Sequence, residues 1–311
     1  MTRSTRGRVA SLSSGTNAGC VAIIADDKDA KQSDNIFDCI ALLRGLGMPF
    51  IVGKRERIYQ DVMKSFQLSE RNQLPYALIV DVETLRKEAT IKTVKSPTLN
   101  AKYKRNIFQH VVCPVFAQHQ YKVLQAKRQK KNWMTMKPPI QPVVPHSLPD
   151  RWREPSKRYI ALFSIFREMR GEIVTGDTGM SSHFAFRPYE CIDVITYMGG
   201  SIPLAIGAYL AVHRKVWAVT GDFAFVAAGQ LALLEATMRN LPIKILVTFN
   251  GQSEATGGQP VTALSLHRAV AAYAGNVKFI SNPQDRGEIK EALADANESR
   301  DMRIVVANYT T

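Results

Sequence analysis

The sequence contains few cysteines, and their spacing excludes two common kinds of metal site. Of its 311 residues only 4 are cysteine, and these (Cys20, Cys39, Cys113 and Cys191) lie far apart. No two of them form the Cys-x-x-Cys pair typical of zinc ribbons and many iron–sulfur clusters, so neither is expected within this chain. We expect buried free thiols, as in proteins of a reducing cytoplasm.

The sequence also lacks a long hydrophobic run. No apolar stretch approaches the ~20 residues that a membrane-spanning helix requires. The N-terminal segment 1–19 carries Arg3, Arg6 and Arg8 but no apolar core, so it is not a secretory signal. We interpret this segment as a flexible tail, with a transit peptide as the alternative, and expect a cytoplasmic protein.

Acidic residues are scarce relative to basic ones: 27 Asp and Glu stand against 41 Lys and Arg, giving a formal charge of +14. Such an excess favours an anionic partner. Many of the basic residues lie in Lys102–Lys137, which includes the run Lys127-Arg128-Gln129-Lys130-Lys131. Because no RNA-recognition or helix-turn-helix motif is present and the run lacks interleaved aromatics, we interpret it as a solvated helix face or subunit-docking surface rather than a nucleic-acid site.

Strand and helix patterns alternate along the chain, which predicts an α/β fold with parallel sheets covered by helices. The pattern occupies residues 20–95 and returns at residues 158–311. Residues 96–157 are rich in proline and basic residues, as expected for a connector. The predicted strands cover 21–25, 50–52, 76–82, 172–175, 194–197, 216–220, 243–249, 277–280 and 303–307, and the predicted helices include 35–46, 56–68 and 229–239.

Small or polar residues follow four successive strands of the second region. These strand ends read Gly176-Asp177-Thr178-Gly179, Gly199-Gly200-Ser201, Gly221-Asp222 and Asn250-Gly251. In an open parallel sheet, ligands bind in the crevice outside the carboxyl ends of the strands. Glycine permits close approach of the backbone, and amides at a helix start hold anions. A phosphate-bearing ligand is therefore expected here.

Asp222 and Asn250 each follow an apolar strand, and the separation between them leaves room for one helix. Adjacent parallel strands would therefore present both side chains at one edge of the sheet. A carboxylate and an amide oxygen suit Mg²⁺, which takes few protein ligands when a diphosphate supplies further oxygens. Alternatively, Asp222 caps a helix and Asn250 makes a turn.

These motifs resemble those of a known enzyme family. Gly221-Asp222-Phe223 and Phe249-Asn250-Gly251 resemble the Gly-Asp-Gly and Asn-Asn signature of thiamine diphosphate (TPP) enzymes, although the third glycine and the first asparagine differ. The motifs at 176–179 and 198–203, and the segment 249–259, are similar to those of the indolepyruvate ferredoxin oxidoreductase alpha subunit. The fold implied is a Rossmann-like parallel sheet of the diphosphate-binding type at 158–311, with part of a pyrimidine-binding α/β domain at 20–95.

The resemblance implies TPP and Mg²⁺ as cofactors. The metal would be bound by Asp222, Asn250 and the backbone carbonyl of Gln252. The implied cofactor-binding residues are Gly176, Asp177, Gly199, Gly200, Ser201, Gly221, Asp222, Phe223, Asn250 and Gln252. Asp177 has the alternative role of a structural turn cap, which we favour, and Gly199, Gly200 and Ser201 that of a tight strand-to-helix turn.

Other residues near these motifs allow two interpretations. His183 is a candidate catalytic proton donor, but we favour a solvent-exposed loop histidine. Glu254 either faces the thiazolium ring or is a structural loop acid. Met180, Phe184 and Phe186 either line an apolar substrate pocket or belong to the core.

The sequence differs from the family pattern in two regions, and both differences affect the function that we expect. The glutamate that activates the cofactor should precede residue 20, where no acidic residue occurs, so a partner subunit is expected to supply it. The segment 141–146 lacks the two cysteines that the family has there. We therefore expect a hetero-oligomeric TPP- and Mg²⁺-dependent enzyme that decarboxylates a 2-oxo acid, with an oxidoreductase, decarboxylase or carboligase outcome. The alternative is a non-catalytic or regulatory subunit that retains the TPP fold.

Overall fold

A computed structural model describes residues 15–310 except 17, 89, 91–102 and 255. The expected flexible tail therefore lies largely outside the described residues. The chain divides into two compact units, the first formed by residues 1–104 and 119–137 and the second by 105–118 and 138–311. Within the described part, no helix is both long and apolar enough to span a bilayer.

The first unit contains a three-stranded parallel sheet in the order β1-β3-β2. Its strands are β1 (Val21–Asp26), β2 (Phe50–Val52) and β3 (Tyr76–Asp81). The central strand β3 is apolar and buried along nearly its whole length, because it pairs on both sides. Its helices are α1 (Cys39–Leu46), α2 (Ile58–Asn72), α3 (Val82–Leu85) and α5 (Ala117–Arg128).

Helix α1 begins later than its apolar periodicity predicts. The expected helix covered 35–46, but the Asp38 side chain accepts a hydrogen bond from the backbone N–H of Ala41 and acts as the N-cap. The helix ends at Gly47, whose φ of 61° is left-handed. Local capping chemistry thus sets both ends.

The second unit is a six-stranded parallel sheet in the order β5-β4-β6-β7-β9-β8. The strands are β4 (Ile173–Gly176), β5 (Val194–Ile195), β6 (Val216–Gly221), β7 (Lys244–Phe249), β8 (Val277–Ile280) and β9 (Arg303–Asn308). The helices are α4 (Ile107–His110), α6 (Asp150–Lys157), α7 (Ile160–Met169), α8 (Ser201–Leu210), α9 (Asp222–Ala224), α10 (Leu231–Met238), α11 (Ala263–Val270) and α12 (Arg286–Glu298).

The strand order places a topological switch between β4 and β6. From β4 the chain moves to one side to form β5, and then returns past β4 to form β6 and β7 on the other side. Ligands of open parallel sheets bind at such a switch, outside the carboxyl ends of the strands. The predicted α/β class with parallel sheets is confirmed, and the strand ends singled out from the sequence lie at this switch.

Residues of the expected connector are divided between the two units. Residues 105–118 and 138–157 pack in the second unit, and 119–137 pack in the first. Phe116 and Leu148 are fully buried in the core of the second unit, which also includes Phe163 and Trp217. The segment therefore contributes core side chains, which its composition does not reveal.

The four cysteines are free, but they differ in exposure. Cys113 and Cys191 are buried, as expected of structural thiols, whereas Cys20 is exposed and Cys39 is partly exposed. The expectation of buried thiols was therefore wrong for the two cysteines of the first unit.

Candidate functional site

Asp222 and Asn250 meet at the carboxyl ends of β6 and β7. Strand pairing aligns Gly221 with Thr248, so Asp222, one residue further on, and Asn250, two residues further on, emerge at the same edge of the sheet. Asp222 is buried, and its Oδ2 accepts hydrogen bonds from the backbone N–H groups of Asn250 at 3.1 Å and Gly251 at 2.8 Å. Its Oδ1 accepts from the backbone N–H of Phe223 at 2.6 Å. The carboxylate therefore ties the two strand ends together.

The Asn250 side chain is held in one orientation by two hydrogen bonds. Its Nδ2 donates to the Tyr159 hydroxyl at 3.0 Å, and its Oδ1 accepts from the backbone N–H of Gln252 at 3.1 Å. Tyr159 is buried, and its ring lies 4.5 Å from that of Tyr309 and 6.5 Å from that of Phe184. Because the tyrosine is fixed by packing, the amide oxygen of Asn250 is presented with little freedom.

A narrow cleft of about 50 Å³ lies at these strand ends. Of the residues predicted to bind the cofactor, five line it, namely Gly221, Asp222, Phe223, Asn250 and Gln252. Gly176, Asp177, Gly199, Gly200 and Ser201 are not among the residues that line it.

Asp177 acts as a support of the cleft. It is 1% exposed, and its Oδ1 accepts from the backbone N–H of Ser201 at 2.8 Å while its Oδ2 accepts from the Thr220 hydroxyl at 2.5 Å. Burial raises the pKa of Asp177 to about 6. The carboxylate thus fastens the start of α8 to the end of β6, in line with the structural role that we favoured.

The three predicted glycines outside the cleft allow close packing. A Cβ on Gly199 would lie 2.5 Å from the Cβ of Ala228, and a Cβ on Gly200 would lie 2.4 Å from the Thr196 hydroxyl oxygen. A Cβ on Gly176 would approach Ile192 to 2.9 Å. These positions set the shape of the strand-to-helix turn, as the alternative interpretation held for Gly199 and Gly200.

His183 lies apart from the cleft, in a neighbouring pocket of about 650 Å³ that Arg151 and Trp152 also line. The expectation of a solvent-exposed histidine was wrong, because the side chain is only 2% exposed in the 3₁₀ helix Met180–Ala185. Its Nδ1 lies 3.0 Å from the Met180 carbonyl, so the Nδ1–H tautomer donates there. Within the described structure, Nε2 has no hydrogen-bond partner.

Burial lowers the pKa of His183 to about 4. The imidazole is therefore neutral at pH 7 and presents Nε2 as an acceptor. A proton donor at neutral pH would need a higher pKa.

The three apolar residues near His183 differ in position. Phe184 and Phe186 are fully buried core residues, whereas Met180 lines both the cleft and the neighbouring pocket.

Charge is distributed unevenly around the cleft. Burial raises the pKa of Asp222, and desolvation also raises the pKa of Glu254, which the nearby Arg158 opposes. Asp222 forms no salt bridge with any described residue. A buried carboxylate without a cation is costly, because desolvation penalises its charged form.

Several cleft residues were not predicted from the sequence. Tyr159 and Ser181 line the cleft although neither belongs to a motif identified from the sequence. Thr178 and Met198 also line it, and they lie within the motifs at 176–179 and 198–203 but were not named as cofactor-binding residues. Tyr159 precedes α7 and is distant in sequence from Asn250, so only the tertiary structure brings them together. No group of three or more His, Cys, Asp or Glu side chains that could hold a metal was found in the described residues.

Comparisons with known proteins agree with the fold of the second unit. Residues 175–306 match the model of the thiamine pyrophosphate enzyme C-terminal TPP-binding domain. A curated relative, the indolepyruvate oxidoreductase subunit IorA of Archaeoglobus fulgidus, is 25% identical over 123 residues, which is 40% of this chain and 19% of that protein. The match thus spans about a fifth of the relative's length.

Two solved structures resemble nearly the whole chain in fold. Benzoylformate decarboxylase from Polynucleobacter necessarius is 9% identical with a TM-score of 0.55, over 98% of this chain and 91% of that one. A Mycobacterium smegmatis protein assigned to the thiamin diphosphate-dependent enzymes is 11% identical with a TM-score of 0.57, over 96% of this chain and 84% of that one. These two likenesses concern the fold alone. In sequence, residues 175–306 are similar to the C-terminal TPP-binding domain of the thiamine pyrophosphate enzymes.

Proposed function

We propose that the cleft at the ends of β6 and β7 binds the diphosphate of TPP through Mg²⁺, and that the chain is a subunit of an enzyme that decarboxylates a 2-oxo acid. The observation that carries this proposal is the meeting of Asp222 and Asn250 at the ends of β6 and β7, beside the topological switch and within the residues that match the TPP-binding domain model. Asp222, Asn250 and the backbone carbonyl of Gln252 are the proposed metal ligands.

The chemistry of the donors supports a hard divalent cation. Carboxylate, amide and carbonyl oxygens are the ligands that Mg²⁺ prefers, and it commonly takes few of them from the protein. Asp222 is 2% exposed and burial raises its pKa, while no described cation forms a salt bridge with it. A bound cation would offset this unfavourable burial of charge.

The size of the cleft sets a requirement for binding. A volume of about 50 Å³ accommodates a cation and roughly one or two water molecules. The diphosphate therefore requires outward displacement of the loop that follows Asn250. That loop carries the exposed residues Gln252 and Glu254 and closes on itself through the hydrogen bond from Ser253 N to Gln259 O at 2.9 Å.

TPP, once bound, supplies an electron sink for the decarboxylation of a 2-oxo acid. The chain's own residues would hold and orient it. Tyr159 fixes the Asn250 amide, and Asp177 fixes the start of α8 beside the cleft. Both roles need rigid partners, which the packed core of this unit provides.

We place the 2-oxo acid in the neighbouring pocket of about 650 Å³. This pocket shares Thr178, Gly179 and Met180 with the cleft, so a ligand in it would lie beside the cofactor. The Arg151 guanidinium, 4.0 Å from the centre of the Trp152 ring, would pair with the substrate carboxylate. The neutral His183 would accept a hydrogen bond at Nε2 from a hydroxyl or a water.

A partner chain completes the proposed enzyme. The Archaeoglobus relative is named as a subunit, which supports a hetero-oligomer. That partner would supply the glutamate facing the pyrimidine of TPP. Cytoplasmic location likewise remains part of the proposal.

Isothermal titration calorimetry of the full chain with TPP, in the presence and absence of Mg²⁺, tests the proposal. We expect Mg²⁺-dependent binding that Asp222→Asn weakens. Removing partners of metal ligands commonly costs on the order of 10–100-fold in affinity, and loss of a direct ligand should cost at least as much. Asp295→Asn, an exposed acid on α12, is the matched control and should bind as the wild type does.

The proposed metal site would be contradicted if the wild type and Asp222→Asn bound TPP with equal affinity, or if TPP binding did not depend on Mg²⁺. The narrow cleft also suits a second candidate, a subunit that retains the fold without using the cofactor. Complete absence of TPP binding, with the partner chain present, would favour that scaffold.

A further inference from the structure

A second pocket, in the first unit, has a volume of about 660 Å³, within the range of small-molecule sites. It lies where the C-terminal ends of α1, α2 and α5 converge, and it has no part in the cleft of the second unit. Six basic residues line it: Arg44, Arg71, Lys127, Arg128, Lys130 and Lys131. None of the described residues lining it is acidic.

Favourable interactions with helix dipoles explain the positions of only four of these six basic residues. Arg44, Arg71, Lys127 and Arg128 lie in the last turns of their helices, where cations are favoured. None of the six, however, forms a salt bridge with a described residue. Like charges that face one pocket repel each other, so an anion bound between them would relieve the repulsion.

Lys127 gives this pocket a buried ammonium group. It is 5% exposed, and its Nζ lies 4.3 Å from the centre of the Trp133 ring. Its hydrogen bond to the Gln73 carbonyl is long, at 3.4 Å. An ammonium carries three N–H donors, so this environment leaves capacity for a strong acceptor. Burial lowers the pKa of Lys127 to about 8, which an anion would reverse.

Arg128 approaches the same pocket because a glycine leaves space for it. Its Nη2 donates to the Leu46 carbonyl at 3.4 Å, and a Cβ on Gly47 would lie only 2.3 Å from that nitrogen. The cation is thus placed over the end of α1.

Aromatic residues form another part of the lining. Trp133, Tyr76 and Phe50 belong to it, and the Tyr76 hydroxyl is fixed by the Asn72 amide at 2.6 Å. Rings beside a cationic region suit a ligand that joins a planar base to phosphates. From this geometry we propose that the pocket binds a nucleoside polyphosphate.

A free nucleotide fits better than a nucleic-acid strand. Single-stranded nucleic acids bind in extended grooves with successive stacking rings, whereas here the cations from three helix ends surround one cavity. The basic run at 127–131, interpreted from the sequence as a solvated face or docking surface, is accordingly assigned to this ligand site. Lys127 is buried rather than solvated.

Calorimetry of the full chain with ATP, adenosine, tripolyphosphate and an oligouridylate distinguishes the possibilities. We expect ATP to bind more tightly than adenosine or tripolyphosphate alone, and the oligouridylate to bind more weakly than ATP. Lys127→Met should weaken ATP binding by about ten-fold or more, since it removes a charged donor. Lys130→Gln should also weaken ATP binding. Because Lys130 is exposed, this variant should fold normally and keeps the test valid if Lys127→Met misfolds.

Lys290→Gln on α12 removes one exposed positive charge elsewhere and should leave ATP binding unchanged. Asp222→Asn should also leave it unchanged, which separates this site from the proposed TPP cleft. Equal affinity for tripolyphosphate and ATP, tighter binding of the oligouridylate, or wild-type affinity in both lysine variants would overturn the proposal.

Discussion

Two buried carboxylates of the second unit differ in what they bind. Asp177 accepts from Ser201 and Thr220 and joins two elements of the fold, whereas Asp222 faces the cleft and holds the ends of two strands. Burial disfavours the charged form of both carboxylates, since desolvation raises the pKa of each. Only Asp222 is placed where a cation from solution could offset that penalty.

Asp177→Asn should reduce the dependence of stability on pH. The pKa of Asp177 is raised in the fold from 3.8 to about 6, so the stability associated with its proton is present below about pH 4 and is lost as pH rises through 6. This loss corresponds to about 3 kcal/mol. Asparagine can accept from Ser201 N and donate to the Thr220 hydroxyl, so the variant should keep both contacts.

Urea unfolding between pH 4 and pH 8 measures this difference. The unfolding free energy of the wild type should fall relative to that of Asp177→Asn as the pH increases. Asp295→Asn, an exposed acid, should follow the wild type. Parallel curves for the wild type and Asp177→Asn would show that the Asp177 proton does not couple to folding.

Among individual residues, the sequence predicted those that follow the strand ends, but it predicted little about the side chains that contact them. Asp222 and Asn250 were identified because each follows an apolar strand. The burial of His183 and the contact of Tyr159 with Asn250 depend on side chains distant in sequence. Such contacts have no local signal, because they are made by packing rather than by backbone preference.

The strand-to-helix turn before α8 depends on one close contact between elements. Gly199 has φ +80°, and a Cβ there would meet Ala228 in the π-helical segment Phe225–Gly229. A side chain at this position is therefore disfavoured by both conformation and space.

Gly199→Ala should lower the unfolding free energy by about 2–4 kcal/mol, from overpacking and a left-handed φ. Gly207→Ala, on the exposed face of α8 where a Cβ would meet nothing within 4 Å, is the matched control. It should be neutral or stabilising by up to about 1 kcal/mol. Chemical denaturation of both variants gives the comparison, and equal effects would argue against the proposed contact.

The strands were predicted more accurately than the irregular helices. Apolar runs gave β1, β2, β6 and β8 to within a residue at each end. Of these only β6 is buried along nearly its whole length, as expected of an inner parallel strand. The helix expected at 229–239 is α10, preceded by a π-helical segment that periodicity did not indicate. The β5 strand is shorter than expected, at two residues.

For the whole molecule, ligand binding to the second unit should raise the free energy of unfolding and the melting temperature. Saturating TPP with Mg²⁺, at about 100 times Kd, would add about 2.7 kcal/mol. For a cooperative unit of this size, that corresponds to an increase in Tm on the order of 5–10 °C. Excess EDTA should reverse the increase, because the proposed diphosphate contact runs through the cation.

Differential scanning calorimetry measures this shift. Thiamine, which lacks the diphosphate, is the control ligand and should leave Tm unchanged. An equal shift with thiamine, or one that survives EDTA, would mean that the ligand is not held by its phosphates at the proposed cation site.

The sequence by itself determined the α/β class with parallel sheets and the positions of most strand ends, since hydrophobic pattern and strand-end chemistry are local properties of the chain. The tertiary structure decided which side chains converge. It divided residues 105–157 between two units, buried His183 and placed Tyr159 beside Asn250. It also gathered six cations, four from three helices and two from the segment after α5, around one pocket. These outcomes depend on packing between segments distant in sequence, where the gain from burying apolar surface outweighs local preference.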